Sequence, residues 1–124
     1  MADELNVEVV AADRQVWSGP ASIVIARTPD GEIGIMPGHE SILGLLVAGQ
    51  VTVRTTDGSA VVVAVAGGFL SVSEDHVAIL AEMAELADEI DVAAVQAELA
   101  ELGDDGYESA RRWAQARLDV AASR

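Results

Sequence analysis

The sequence contains no lysine and no cysteine, and its seven arginines stand against 21 acidic residues, a formal charge of −14 over 124 residues. Each shortage excludes chemistry. Without lysine there is no phosphate-binding Walker lysine, no Schiff-base catalysis, and no carrier lysine of the biotinyl or lipoyl kind. Without cysteine there is no disulfide, no thiolate nucleophile and no thiolate-bound zinc, a composition consistent with a reducing compartment. A surface this acidic repels phosphate backbones and anionic headgroups, which argues against a nucleic-acid or membrane-surface role. Aromatic side chains are down to Trp17, Phe69, Tyr107 and Trp113, so the core must be assembled from Val, Ile, Leu and Ala. The most apolar window, Ala60 to Leu70, is shorter than the ~20 residues a membrane helix needs. The acidic start Met1-Ala2-Asp3-Glu4 lacks the apolar run of a signal peptide. A soluble chain is expected, meeting a membrane only through a partner.

What is present reads as one compact body with an appendage. From Leu5 to about Leu80, short β-prone runs alternate with turn signals. Leu5, Val7 and Val9 alternate with Asn6 and Glu8, the pattern of a half-buried strand. Val16-Trp17 follows, and Gly19-Pro20 is expected to break the chain before a run from Ser22 to Arg27. Pro29-Asp30-Gly31 and Pro37-Gly38 read as tight turns on either side of Ile33 and Ile35. Ile42 to Val47 is apolar, and Gly49 precedes Val51 to Thr55. Asp57-Gly58 then predicts a hairpin in which both central residues take positive φ. Ala60–Ala66, Phe69–Val72 and Val77–Leu80 complete the series, punctuated by Gly67-Gly68 and Glu74-Asp75. Eight to ten strands at this spacing predict a flattened β-sandwich or barrel over residues 1–86.

The period then changes. Val92, Val95, Leu99 and Leu102 form a narrow helical stripe, with Asp91 as N-cap and Ile90 placed to staple onto Val95. Gly103-Asp104-Asp105-Gly106 interrupts it. A second helix is predicted from Tyr107 to Ala121, with Tyr107, Ala110, Ala114, Leu118 and Ala121 on one face. Residues 87–124 thus read as an αα-hairpin. Charge divides the chain as well. Residues 82–110 carry ten acids and no base, whereas residues 111–124 carry four arginines against Asp119.

Catalytic signatures are absent. His39-Glu40 is not followed by the second histidine of a zinc-binding HExxH, since position 43 is Leu, and a carboxylate-completed metal site has little to support it. Ser41, His39 and several acids are the ingredients of a triad, but no Gly-x-Ser-x-Gly elbow occurs. Gly31, Gly34 and Gly38 are not spaced as a dinucleotide fingerprint. Glu74-Asp75 reads as a solvated turn. The densest segment runs from Gly31 to Glu40. It is either a strand with a bulge and a turn, or a rigidly mounted binding loop with His39 and Glu40 at its tip.

The phrase GEIGIMPGHESIL, residues 31–43, resembles the signature loop of the ε subunit of F-type ATP synthases, of bacterial, actinobacterial-like type. Trp17-Ser18-Gly19, Gly67-Gly68-Phe69-Leu70-Ser71-Val72, Val77-Ala78-Ile79-Leu80-Ala81-Glu82 and Glu89-Ile90-Asp91 occupy corresponding places in order. The resemblance covers residues 5 to about 95; the last 30 residues match in style only. It implies a β-sandwich followed by a mobile helical hairpin, in a non-catalytic subunit at the foot of the central stalk on the cytoplasmic face of the cell membrane. Its partners would be the γ subunit, the membrane-embedded c-ring and the catalytic α and β subunits. Glu32 would face polar loops of the c-ring, with Pro37, Gly38 and His39 near the shared γ and c-ring contact. On the hairpin, Arg111 and Arg117 flank the alanine stripe and would meet the catalytic subunits, unless the helix is simply a solvated, arginine-rich one. ATP-binding relatives carry an arginine in an Ile/Leu-Asp-x-x-Arg-Ala motif. Here Ile90-Asp91-Val92-Ala93 is followed by Ala94, so no nucleotide cofactor is expected. Competing readings are a free-standing β-sandwich that binds or hydrolyses a small ligand near His39, and an acidic chaperone-like adaptor.

Overall fold

A computed structural model describes residues 4–102 and 108–123. The interruption expected at Gly103–Gly106, Tyr107 and Arg124 lie outside these described residues. Nine strands precede the helices: β1 (Leu5–Ala11), β2 (Gln15–Thr28), β3 (Gly31–Ile35), β4 (Ile42–Leu46), β5 (Gly49–Thr55), β6 (Ala60–Val65), β7 (Gly68–Ser73), β8 (His76–Ala81) and β9 (Ala84–Leu86). A single 3₁₀ turn (Ala87–Glu89) leads to α1 (Val92–Leu102) and α2 (Glu108–Ala122). The strands follow the order β4-β7-β8-β1-β2-β5-β6-β9, with β3 added on β2. β1 and β8 run parallel, pairing from Asn6 with His76 to Ala11 with Ala81; the other pairs are antiparallel. The β-sandwich followed by a helical hairpin read from the sequence is the observed architecture.

The sandwich depends on β2 serving both layers. Its first half pairs with β1, from Leu5 opposite Ala21 to Val9 opposite Trp17. Its second half pairs with β5 on one side and β3 on the other, so that Val24 lies between Val53 and Ile35. The expected break at Gly19-Pro20 does not occur. Pro20 lies opposite Asn6 where β2 has a neighbour on one side only, because β5 joins at Ala21; there a proline's missing N–H costs no ladder bond. Gly19 leaves room for the Trp17 ring, which a Cβ at that position would meet at 3.0 Å.

Between the layers lies an aliphatic core of Leu5, Val7, Val9, Val24, Ile35, Val51, Val53, Val63, Val65, Leu70, Val72, Val77 and Ile79, with Trp17 packed at its margin. At Gly68 (φ 143°) the β6–β7 connection approaches β8 so closely that a Cβ would overlap the Leu80 carbonyl oxygen. The Asp57-Gly58 hairpin forms, but only Gly58 takes positive φ. Asp57 instead organises the turn through its carboxylate, which accepts from the Thr55 hydroxyl and the Ser59 N–H.

The second half of strand β6, Val63–Val65, is covered on both faces. Val63 and Val65 enter the sandwich core, while Ala64 belongs to a second cluster with Ile90, Val95, Trp113, Ala114, Ala116, Val120 and Ala121. Through this cluster α2 lies on β5 and β6, with α1 against its other side. Asp91 caps α1 as expected, its carboxylate accepting the Ala94 N–H at 3.1 Å. Ile90 and Val95 are buried together. The buried face of α2 is turned from the one predicted. Ala114 and Ala121 are buried and Leu118 partly so, but Trp113, Ala116, Arg117 and Val120 share the contact. The alanine repeat misplaced the face because Arg117, read as polar, occupies the middle of the buried stripe.

The route between sandwich and hairpin is fastened by Arg14 in the β1–β2 turn. Its guanidinium binds the Glu89 carboxylate at 2.8 and 3.1 Å, and the same carboxylate accepts the Leu86 N–H at 2.9 Å. The hydrogen bond from Arg14, then that from Leu86, holds the Glu89 carboxyl below its ordinary pKa. A carboxyl lowered in the folded state contributes stability above the ordinary value of about 4.3 and loses it as pH falls through the lowered one. The pair is partly exposed, so water screens much of that contribution. The protection factor of the Leu86 amide, its exchange rate relative to the intrinsic rate at the same pH, should therefore fall as the pH drops below the ordinary carboxylate range, and Arg14→Ala should lower it at neutral pH.

Candidate interaction surfaces

Of the residues singled out in the sequence, Glu32 lies near the start of β3 and Pro37, Gly38 and His39 in the loop after its end. Glu32 is exposed on β3, an outer strand, directly opposite Arg27. The chain then turns at Pro37-Gly38, where the His39 N–H donates to the Met36 carbonyl at 3.1 Å. Gly38 takes φ 89°, which favours glycine. His39 is half-buried, with Nδ1 2.7 Å from the carbonyl oxygen of Glu40. The structure thus brings Pro37, Gly38 and His39 together at one tip, with Glu32 further back on the strand that leads to it.

What rigidifies this tip is a residue read only as part of a solvated turn. The Asp75 carboxylate accepts the Gly38 N–H at 2.7 Å, and the Asp75 carbonyl accepts the Asn6 N–H at 2.8 Å. Glu74 and Asp75 both adopt positive φ, 49° and 65°, as a two-residue I′ hairpin between β7 and β8 requires. The turn is therefore a clamp: its backbone is set by hairpin geometry, and its side chain ties the β3–β4 loop to the β7–β8 end. The signal was the acidic dipeptide in a two-residue connection, but no sequence feature names its remote partner.

The outer sheet also carries an apolar surface that strand periodicity alone did not identify. On the outer face of the β4-β7-β8-β1 layer, Leu45 pairs with Phe69, Phe69 with Leu80, and Leu80 with Val10. Leu45, Phe69 and Leu80 are each about half exposed, and Leu43, next on the same face of β4, is 74% exposed. Met36, in the loop before β4, is exposed as well. The sequence signal was the lack of alternation in Ile42-Leu43-Gly44-Leu45-Leu46-Val47. A strand apolar on both faces has a second face to cover. A contiguous exposed apolar patch on a domain carrying this much negative charge marks a partner site.

The hairpin arginines are deployed differently from one another. Arg112 pairs with Glu108 one turn earlier on an exposed face, and Arg111 is half-buried. Arg117 points inward in this folded pose, with Nη2 2.6 Å from Glu98 and Nη1 3.6 Å from Glu85. A cleft of about 470 Å³ is lined by Trp17, Val61, Val62, Leu86 and Asp88, away from His39.

Removing the Asp75 carboxylate should free the tip without unfolding the sandwich. In Asp75→Ala, exchange of the Gly38 amide should accelerate about tenfold, equivalent to about 1.4 kcal/mol. Asp75→Asn keeps an acceptor oxygen and should retain most of the protection.

Comparison with known proteins agrees with this architecture. The family model described as ATP synthase, Delta/Epsilon chain, beta-sandwich domain, matches residues 4–87. The chain is 52% identical to the ATP synthase epsilon chain of Streptomyces griseus over the full length of both. It is 58% identical to that of Rhodococcus jostii over 103 residues, 82% of this chain and 84% of the relative. A chain in the mitochondrial ATP synthase of Euglena gracilis superposes with a TM-score of 0.76 at 22% identity, covering 99% of this chain and 82% of the other. One in the central stalk and c-ring structure from Tetrahymena thermophila gives 0.63 at 17% identity, covering 94% and 91%. These two share the fold. The family model and the full-length Streptomyces relative decide membership: this chain belongs to the family of ATP synthase epsilon chains.

Proposed function

We propose that the chain is the non-catalytic rotor subunit of a proton-translocating F-type ATP synthase, coupling the c-ring to the γ subunit and modulating ATP hydrolysis through its C-terminal hairpin. The observation that carries the reading is the exposed Leu45–Phe69–Leu80–Val10 row across the outer face of the β4-β7-β8-β1 layer. A subunit that transmits torque needs a broad docking face that does not creep under load. A packed sheet face supplies that rigidity, since its side chains sit on a hydrogen-bonded lattice. The apolar row is assigned to γ, and the tip with Glu32 to the junction of γ and the c-ring. The Asp75 clamp supports that assignment, because a fixed loop loses less entropy on docking than a mobile one.

As part of this complex the chain is a peripheral component, and its position is the cytoplasmic face of the membrane. Among the described residues no helix is long and apolar enough to cross a membrane. Arg111 and Arg117 are the hairpin residues that would meet the catalytic subunits in an extended pose. Arg111→Ala together with Arg117→Ala should then relieve any inhibition of hydrolysis in the assembled enzyme. The reading of a small-ligand hydrolase at His39 has less support, since the His39 ring is engaged with the Glu40 carbonyl and the cleft described above lies elsewhere.

Two measurements test the proposal. Phe69→Ala and Leu45→Ala remove exposed side chains, so the stability of the isolated chain should change by no more than about 0.5 kcal/mol. Affinity for γ should drop by about tenfold or more for each, the effect of unfilling a pocket at the centre of an interface. Wild-type affinity in both variants would remove the row from the interface. Separately, full-length chain and a version ending at Asp88 should both support coupling when reconstituted with γ and the catalytic hexamer, and differ only in hydrolysis rate.

A further inference from the structure

Arg117 is the one charged residue that the fold buries among the described residues, at 8% exposure. Its guanidinium carbon lies 4.8 Å from the centre of the Trp113 ring, one turn earlier on α2. Nη2 donates to Glu98 of α1 at 2.6 Å, and Nη1 lies 3.6 Å from Glu85 of β9. One side chain thus joins three elements: both helices of the hairpin and the last strand of the sandwich.

This is a poor choice if the aim is permanent adhesion. A buried ion pair contributes little beyond the cost of its own desolvation, and an apolar side chain of similar volume commonly holds a seam as well or better. Here the desolvation is incompletely compensated, because the buried Nε has no hydrogen-bond partner among the described residues. The surrounding seam mixes small side chains, Ala64, Ala114, Ala116 and Ala121, with the larger Ile90, Val95, Trp113 and Val120. The carboxylate ends also remain in contact with water; Glu98 is 51% exposed along its side chain, so dissolved ions reach the pair.

We propose that Arg117 is a releasable ionic latch, fastening α2 to α1 and β9 through Glu98 and Glu85. The latch is a property of the isolated chain and does not depend on the assignment of the docking face. Its physical signature is an asymmetry. Neutralising the carboxylates strands a buried cation and releases the hairpin, whereas replacing the cation with an apolar chain tightens it.

The test uses the full-length chain, whose lack of cysteine lets spin labels be placed at will. Labels on Asp30→Cys and Ala122→Cys, both exposed positions, report the distance from the β2–β3 turn to the end of α2. The otherwise unaltered labelled chain should give one docked distance at about 0.05 M salt and a growing separated population towards about 1 M, where the screening length falls to ~3 Å. Glu85→Gln with Glu98→Gln should raise the separated population at least tenfold at low salt. Arg117→Met should remain docked at every salt concentration. The latch is overturned if the double-glutamine chain keeps the docked distance throughout, or if Arg117→Met separates as readily as that chain does. Should the double variant unfold the sandwich, as amide protection of β1 and β8 would reveal, Glu98→Gln alone carries the same comparison.

Discussion

A strand whose second half, Val63–Val65, is buried on both faces joins the two parts of this molecule. Side chains alternate along β6, so one face is committed to the sandwich through Val63 and Val65. The opposite face must then be covered too, and Ala64 lies there beneath α2 with no exposure at all. Alanine at that point lets the helix approach the sheet; a larger residue would hold it off and open a gap beneath Ala114 and Ala116. The next strand along is β9, and its chain continues directly into the 3₁₀ turn and α1. The hairpin's covered face and its tether therefore derive from the same edge of the sheet, which makes the folded pose a local consequence of the sandwich.

Much of this was legible in the residues. The alternation of Leu5, Val7 and Val9 gave β1 its inward face, and Asp57-Gly58 marked the hairpin that leads into Ala60–Ala66. Asp91 was readable as a cap because capping is a local bond. What was not legible was set by distant neighbours. Pro20 is a strand breaker only where both edges of the strand are paired, and nothing nearby says that β5 joins one residue later. The parallel pairing of β1 with β8 spans 70 positions and leaves no trace in either strand's pattern. Asp75 looks like any turn aspartate until Gly38 is brought to it. The turning of α2 was missed for a related reason: an arginine in a buried stripe is read as polar until Glu85, Glu98 and Trp113 are seen around it. The resemblance to a known family supplied the tip residues, but it offered no view of the apolar row, which depends on cross-strand register.

The two surfaces of the sandwich differ in chemistry in a way that suits a chain of such strong negative charge. Charge acts at long range and weakens with salt, whereas apolar contact acts only at close fit and is nearly indifferent to it. A row of Leu, Phe and Val on the outer sheet therefore offers adhesion that the surrounding acids cannot overwhelm at contact distance. Those acids also discourage the patch from pairing with copies of itself. The edge at β4, flanked by Leu43 and Leu45, is where such protection matters most.

The hairpin follows the opposite rule. Its contact with the sheet joins small and large apolar side chains, Trp113 and Val120 among them, to one arginine held by two partly hydrated carboxylates, so undocking also returns three charges to water. The sandwich, by contrast, cannot open without exposing its whole aliphatic core. Local opening free energies in one chain can therefore be far apart, low for the helices and close to the global value for the strands. A ligand or partner can shift a conformational equilibrium only by its differential affinity for the two states. A hairpin near balance can thus be moved by a few polar contacts, while a sandwich with a large gap transmits force without yielding. Replacing Arg117 with an aliphatic residue would add adhesion and remove that distinction, which is why an imperfectly satisfied buried charge is intelligible at the hinge of a regulator and would be a defect in the core of an adaptor.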